Sequence, residues 1–130
     1  MKNRDIYDSA LRILAQSMPG TENNDFEERA PYLLASFCGE VLDLNRHLCE
    51  ALGKSPLNEF ERVWIPLEEN FPLADRLAPI ACLYLAAMLI LDEDAEISDK
   101  LYARYCEKIT ALWHEIPAML HKIKDKYFNK

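Results

Sequence analysis

Residues 75–94, DRLAPIACLYLAAMLILDED, constrain the fold more than any other stretch. From Leu77 to Leu91 no residue is charged, while Asp75, Arg76, Asp92, Glu93 and Asp94 close the run at both ends. A bilayer crossing needs about 20 apolar residues, and a run of about 10–14 is usually a buried core helix. This run is 15 residues long and lacks the flanking Lys/Arg cluster that marks a cytoplasmic side. No membrane association is expected. Pro79 falls where a helix tolerates proline best, near its start. A helix apolar on every side must be covered on every side. Either the other helices of the chain surround it, or one face meets a second subunit.

The remaining sequence supplies those helices. Ile6, Tyr7, Ala10, Leu11, Leu14 and Met18 recur at three- and four-residue spacing, predicting a first helix capped by Asn3 and ended by Met18-Pro19-Gly20. Asn24-Asp25-Phe26-Glu27 resembles a capping box. The stripe Phe26, Ala30, Leu33, Leu34, Phe37, Cys38, Val41, Leu42, Asn45, Leu48, Cys49, Leu52 then predicts one long second helix ending at Gly53. Pro31 either kinks it or separates its first turn. The apolar run makes the third helix, over 73–91. A fourth is capped by Ser98 or the residues before it, and its face carries Leu101, Tyr102, Tyr105, Ile109, Leu112, Trp113 and Ile116. At Pro117 this helix kinks or restarts, and Met119, Leu120, Ile123 and Tyr127 continue its stripe. The expected fold is therefore all-α, within one domain over 1–130. It is a four-helix bundle, or five with a kinked C-terminal segment, carrying a long proline-containing loop over 53–72.

That loop, GKSPLNEFERVWIPLEENFP, holds Pro56, Pro66 and Pro72 together with the β-prone Val63-Trp64-Ile65. Loops this long in compact domains are often functional. Trp64 either folds back over the core edge or anchors an interface. Charge is segregated too. The chain carries a net −7, yet residues 121–130, HKIKDKYFNK, carry four lysines and one aspartate, leaving −10 on the rest. An acidic body argues against a nucleic-acid surface spread over the whole protein. The tail is either a frayed terminus or a basic arm, with Lys122, Lys124 and Lys126 as its contacts.

No chemistry stands out. His47, His114 and His121 form no metal-ligand spacing, and DEDAEISD lacks the alternating ligands and central glycine of a calcium loop. There is no phosphate-cradling glycine motif and no nucleophile elbow. Cys38, Cys49, Cys82 and Cys106 fall singly in apolar stretches, as expected of reduced core thiols in a cytosolic protein. On one helix, Cys38 and Cys49 would stand roughly 16 Å apart, beyond disulfide reach. The N-terminus MKNRDIYDSAL has no apolar secretory core. No catalytic residue, cofactor or metal is expected. The chain reads as a non-enzyme that works by binding neighbours, with Val63, Trp64, Ile65 and the three tail lysines as partner contacts. A small intracellular helical module that binds a protein or peptide, or regulates one, is the alternative.

The order of features resembles small prophage-encoded head–tail connector (adaptor) proteins of tailed bacteriophages. The likeness runs through RDIYDSALRILAQS, DFEERAPYLLASFCGEVLDLNRHL and FPLADRLAPIACLYLAAMLILDEDAEISDKLYARYCEKITAL, about residues 4–113. Its particular positions are the lead-in Phe71-Pro72-Leu73-Ala74-Asp75-Arg76-Leu77, the acidic turn Asp92-Glu93-Asp94, and Tyr102, Arg104, Tyr105, Cys106, Glu107 and Lys108. Ala74 stands where the pattern has proline, and the chain beyond Pro117 has no counterpart. The resemblance implies a virion component, present in the bacterial cytoplasm and then at the virion neck. It would dock on the portal or other head–tail proteins as a homo-oligomeric ring, being monomeric in isolation. DNA would only pass non-specifically through its channel.

Overall fold

In a computed structural model, the structure describes residues 1–17 and 25–128, with the side chains of 16, 17 and 120–128 left aside. Five α-helices form among the described residues: α1 (Asn3–Ser17), α2 (Phe26–Glu40), α3 (Leu42–Ala51), α4 (Ala78–Ile90) and α5 (Ala95–Phe128). A 3-10 turn, Asp75–Leu77, leads into α4. The expected all-α bundle is what forms. The fifth helix has a different origin from the one foreseen, however. α5 runs unbroken through Pro117, and the predicted second helix divides at Val41 (φ −103°, ψ 14°).

α4 is the hub. All of its residues except Pro79 and Met88 are buried, and α1, α2 and α5 pack around it. The chain's own helices thus cover α4, while Pro79 and Leu91 of the apolar run remain exposed. At about 20 Å, thirteen helical residues fall short of the ~30 Å hydrocarbon layer. Among the described residues no helix is long and apolar enough to cross a membrane.

Long-range partners satisfy the free carbonyls at the end of α4. Ser98 is buried in α5 and its hydroxyl donates to the Ala87 carbonyl at 2.8 Å. Arg29 of α2 donates to the carbonyls of Met88 (3.1 Å) and Leu89 (3.4 Å). Ser98 is therefore a tie between helices. The cap of α5 is Asp94, whose carboxylate accepts the Ile97 amide at 3.0 Å. Gly53 ends α3 as expected. Its φ of +71° lets its own amide reach Glu50 and the Lys54 amide reach Cys49, a Schellman arrangement.

Residues 54–74 are irregular yet tightly held. This strap crosses the start of α1, where its Glu69 and Leu67 carbonyls accept the Asn3 and Arg4 amides at 2.9 and 2.8 Å. Those amides are the unpaired donors of the helix's first turn. The Phe71 amide donates to Met1, and Lys2 pairs with Asn70 as an isolated antiparallel bridge. Asn3 is no cap: it is fully buried, and its side-chain amide donates to Pro66 at 2.9 Å. Asp5 reaches back to the Lys2 amide instead (3.0 Å). Asn24 of the expected capping box lies outside the described residues, and Asp25 at the start of α2 makes no side-chain cap bond.

Candidate docking groove

The strap sends Ile65, Leu67, Phe71 and Leu73 into the core. Fixing those four fixes what lies between and before them. The Ile65 amide donates to the Pro31 carbonyl of α2 at 3.2 Å, which sets residues 60–63 alongside the outer face of α2. Between them runs a groove of about 360 Å³ lined by Tyr32, Ser36, Gly39 and Glu40 on one wall and by Phe60, Glu61, Arg62 and Val63 on the other.

Of the predicted contacts on the strap, Val63 (78% exposed) and Trp64 (44% exposed) face solvent. Ile65 does not. It is 1% exposed, the chain bending at Val63 and the Ile65 amide being tied to the Pro31 carbonyl of α2, so its side chain belongs to the core. The side chains of Lys122, Lys124 and Lys126 lie outside the described residues, while their backbone continues α5. Sequence reasoning missed Tyr32, Ser36, Glu40 and Phe60. One signal was available: Tyr32, 57% exposed, is a large apolar residue standing off the buried stripe of α2.

An aromatic cluster holds the groove from below. Phe37 packs on Tyr84 (5.6 Å between rings) and Tyr105 (6.2 Å), and the two tyrosines meet edge to face at 5.3 Å. Their hydroxyls point to the groove wall. Tyr105 donates to the Glu40 carboxylate at 3.2 Å, and Tyr84 lies 3.2 Å from the Ser36 hydroxyl. Burial, then the Glu40 charge, raises the Tyr105 pKa well above the ordinary phenol value; burial raises that of Tyr84. Both phenols therefore keep their protons. On the opposite wall, Arg62 forms a two-pronged pair with Glu69 (3.0 and 3.4 Å), so its charge is neutralised in place. Glu61 has no ion-pair partner among the described residues. The groove thus mixes the apolar groups of Tyr32, Phe60 and Val63 with polar ones, among them the Glu40 and Glu61 carboxylates.

Reactive arrangements are absent among the described residues. No group of three His, Cys, Asp or Glu could hold a metal ion. Burial pushes the Cys38 thiol up to about 12 and raises that of Cys82, which suppresses the nucleophilic thiolate. Cys38 and Cys49 sit on separate helices, and Cys106 is exposed, unlike the core thiol expected. His47 packs its ring against Trp113 at 5.2 Å and its Nδ1 lies 2.8 Å from the Asp43 carbonyl. His114 is exposed on α5, and the His121 side chain lies outside the described residues. Comparison with family models, with curated proteins and with solved structures gave no match.

Proposed function

We propose that this chain is a non-enzymatic assembly protein, a tailed-phage or prophage head–tail connector that docks on the portal and extends the DNA channel. The family likeness of residues 4–113 supplies the class. The observation that carries the contact role is Val63-Trp64, an apolar pair held outward by a strap whose next residue is locked in the core. Large aromatic groups on a pre-ordered segment bind at little entropic cost, which is how interface anchors work. The acidic body suits a channel wall past which DNA slides without sticking. In this reading the protein is made in the bacterial cytoplasm and ends at the virion neck, with no cofactor and no membrane partner.

Co-expression with a candidate portal protein from the same genome tests it. Tagged wild type retains the portal, and Val63→Asp/Trp64→Asp loses it while keeping a wild-type circular dichroism spectrum. Failure of the wild-type chain to retain any head–tail protein would sink the connector reading. The second reading, a helical module that binds a protein or peptide, is favoured by the groove on α2. A gene neighbourhood without portal or capsid genes would select it.

A further inference from the structure

We infer that the groove between α2 and residues 60–63 receives the C-terminal segment of a second copy of this chain. The inference rests on the assembly reading and names which two surfaces of neighbouring copies meet.

Charge complementarity identifies the occupant. The groove offers the apolar groups of Tyr32, Phe60 and Val63 together with the Glu40 and Glu61 carboxylates, Arg62 being already neutralised by Glu69. A fitting ligand carries large apolar side chains interleaved with cations. Residues 119–130, MLHKIKDKYFNK, have that composition: Ile123, Tyr127 and Phe128 among Lys122, Lys124, Lys126 and Lys130. A ligand of that composition suits such a groove, because lysine stems cover apolar surface while their ammonium groups seek carboxylates. Elsewhere the chain is acidic, at −10 outside residues 121–130.

Helix geometry makes the contact intermolecular. The 3.2 Å bond from Tyr105 to Glu40 fixes the groove beside position 105 of α5. Lys122 lies 17 residues further along the same unbroken helix, about 25 Å away at the α-helical rise. A tail carried that far cannot turn back into its own groove, but it can enter a neighbour's. Groove and tail are different surfaces, so the association is head-to-tail; it closes into a ring or propagates according to the rotation per copy.

The test is fluorescence anisotropy of a labelled synthetic peptide, residues 119–130, titrated with the full-length chain. Saturable binding is expected, weaker at high salt. Val63→Lys and Glu61→Lys, which put a cation in the path of the lysine-rich peptide, should each weaken it roughly tenfold or more. Both positions are exposed, and circular dichroism verifies that the variants fold. A peptide with Lys122, Lys124 and Lys126 changed to Glu should not bind wild type, and should recover binding to Glu61→Lys. Absence of saturable binding overturns the inference, as does binding unchanged by both groove variants. Loss of portal retention in Val63→Lys without peptide binding to wild type assigns the groove to the portal and also overturns it. Peptide binding by a chain that retains no head–tail protein upholds the tail contact and removes the connector reading alone.

Discussion

The guanidinium of Arg29 in α2 donates to the backbone carbonyl of Met88 in α4 at 3.1 Å, and to its neighbour Leu89 at 3.4 Å. These are among the carbonyls that the end of α4 leaves unpaired, and a cation there also meets the negative end of the helix dipole. The Asp25 carboxylate, 3.7 Å away and exposed, adds little. Removing the side chain in Arg29→Ala is expected to cost about 1–3 kcal/mol, the range for charge-assisted bonds to partly buried acceptors. Arg29→Lys, a single point donor, should lose less. Urea midpoints at constant slope would verify both.

Leu85 tests the hub. It is fully buried in the middle of α4, so Leu85→Ala should cost about 2–5 kcal/mol through lost burial and a residual cavity. Leu85→Asp should leave the chain unfolded, because an unpaired buried charge costs several kcal/mol against a total of roughly 5–15. A folded Leu85→Asp variant that had lost only self-association would contradict burial by the chain's own helices.

How well each element could be read from the sequence tracks the range of what fixes it. α4 was legible because uninterrupted apolarity admits few alternatives, and Gly53 because only a residue at ease with positive φ closes that turn. The break at Val41 was hidden. A one-residue interruption keeps the three- and four-residue spacing in phase, so Phe37, Leu44 and Leu48 read as one stripe. Asn3 looks like a cap locally, and its burial follows from Pro66, 63 residues away. Ile65 shares the β-prone character of Val63 and Trp64, and only the hydrogen bond to Pro31 reveals which of the three turns inward. The groove was least legible, being formed by segments nearly 30 residues apart.

The two glycines in described positions should respond oppositely to alanine. Gly53 has φ +71°, so Gly53→Ala is expected to cost about 1 kcal/mol although an added Cβ meets nothing within 4 Å. Gly39 lies in α2, and an added Cβ there is also unobstructed. Gly39→Ala should stabilise by about 0.5–1 kcal/mol through helix propensity. Thermal midpoints moving in opposite directions would bear this out; equal signs would contradict it.

Alkaline pH should destabilise the fold at a defined onset. Cys38, Cys82, Tyr84 and Tyr105 all hold their protons more tightly when folded, chiefly because of burial. A group with a raised folded pKa contributes fully below its unfolded value, and the contribution is lost as pH rises towards the folded one. Stability should therefore decline from near pH 9, the ordinary thiol value, at up to about 1.4 kcal/mol per pH unit for each group. In Cys38→Ala/Cys82→Ala, compared with its own neutral-pH stability, the onset should move to near pH 10, the ordinary phenol value. Urea titrations between these pH values read the shift directly.

Two neighbours in the first turn of α1 separate buried from exposed polar contacts. Asn3 is fully buried and donates to Pro66, with its Oδ1 unpaired among the described residues. Arg4 pairs with Glu27 at 2.9 Å and also with Glu68, yet all three groups are substantially exposed. Asn3→Ala strands the Pro66 carbonyl and removes an unpaired oxygen at once, so a net loss of about 1 kcal/mol is expected, at the low end for a buried bond. Arg4→Ala removes more formal interactions but only solvent-screened ones, and should change the midpoint less. Hydrogen exchange would separate the effects further. Asn3→Ala should speed exchange at the amides of Asn3 and Arg4, which donate to the strap, whereas Arg4→Ala should leave them protected. The reverse order would mean that the exposed ion pairs, and not the buried amide, hold the strap across α1.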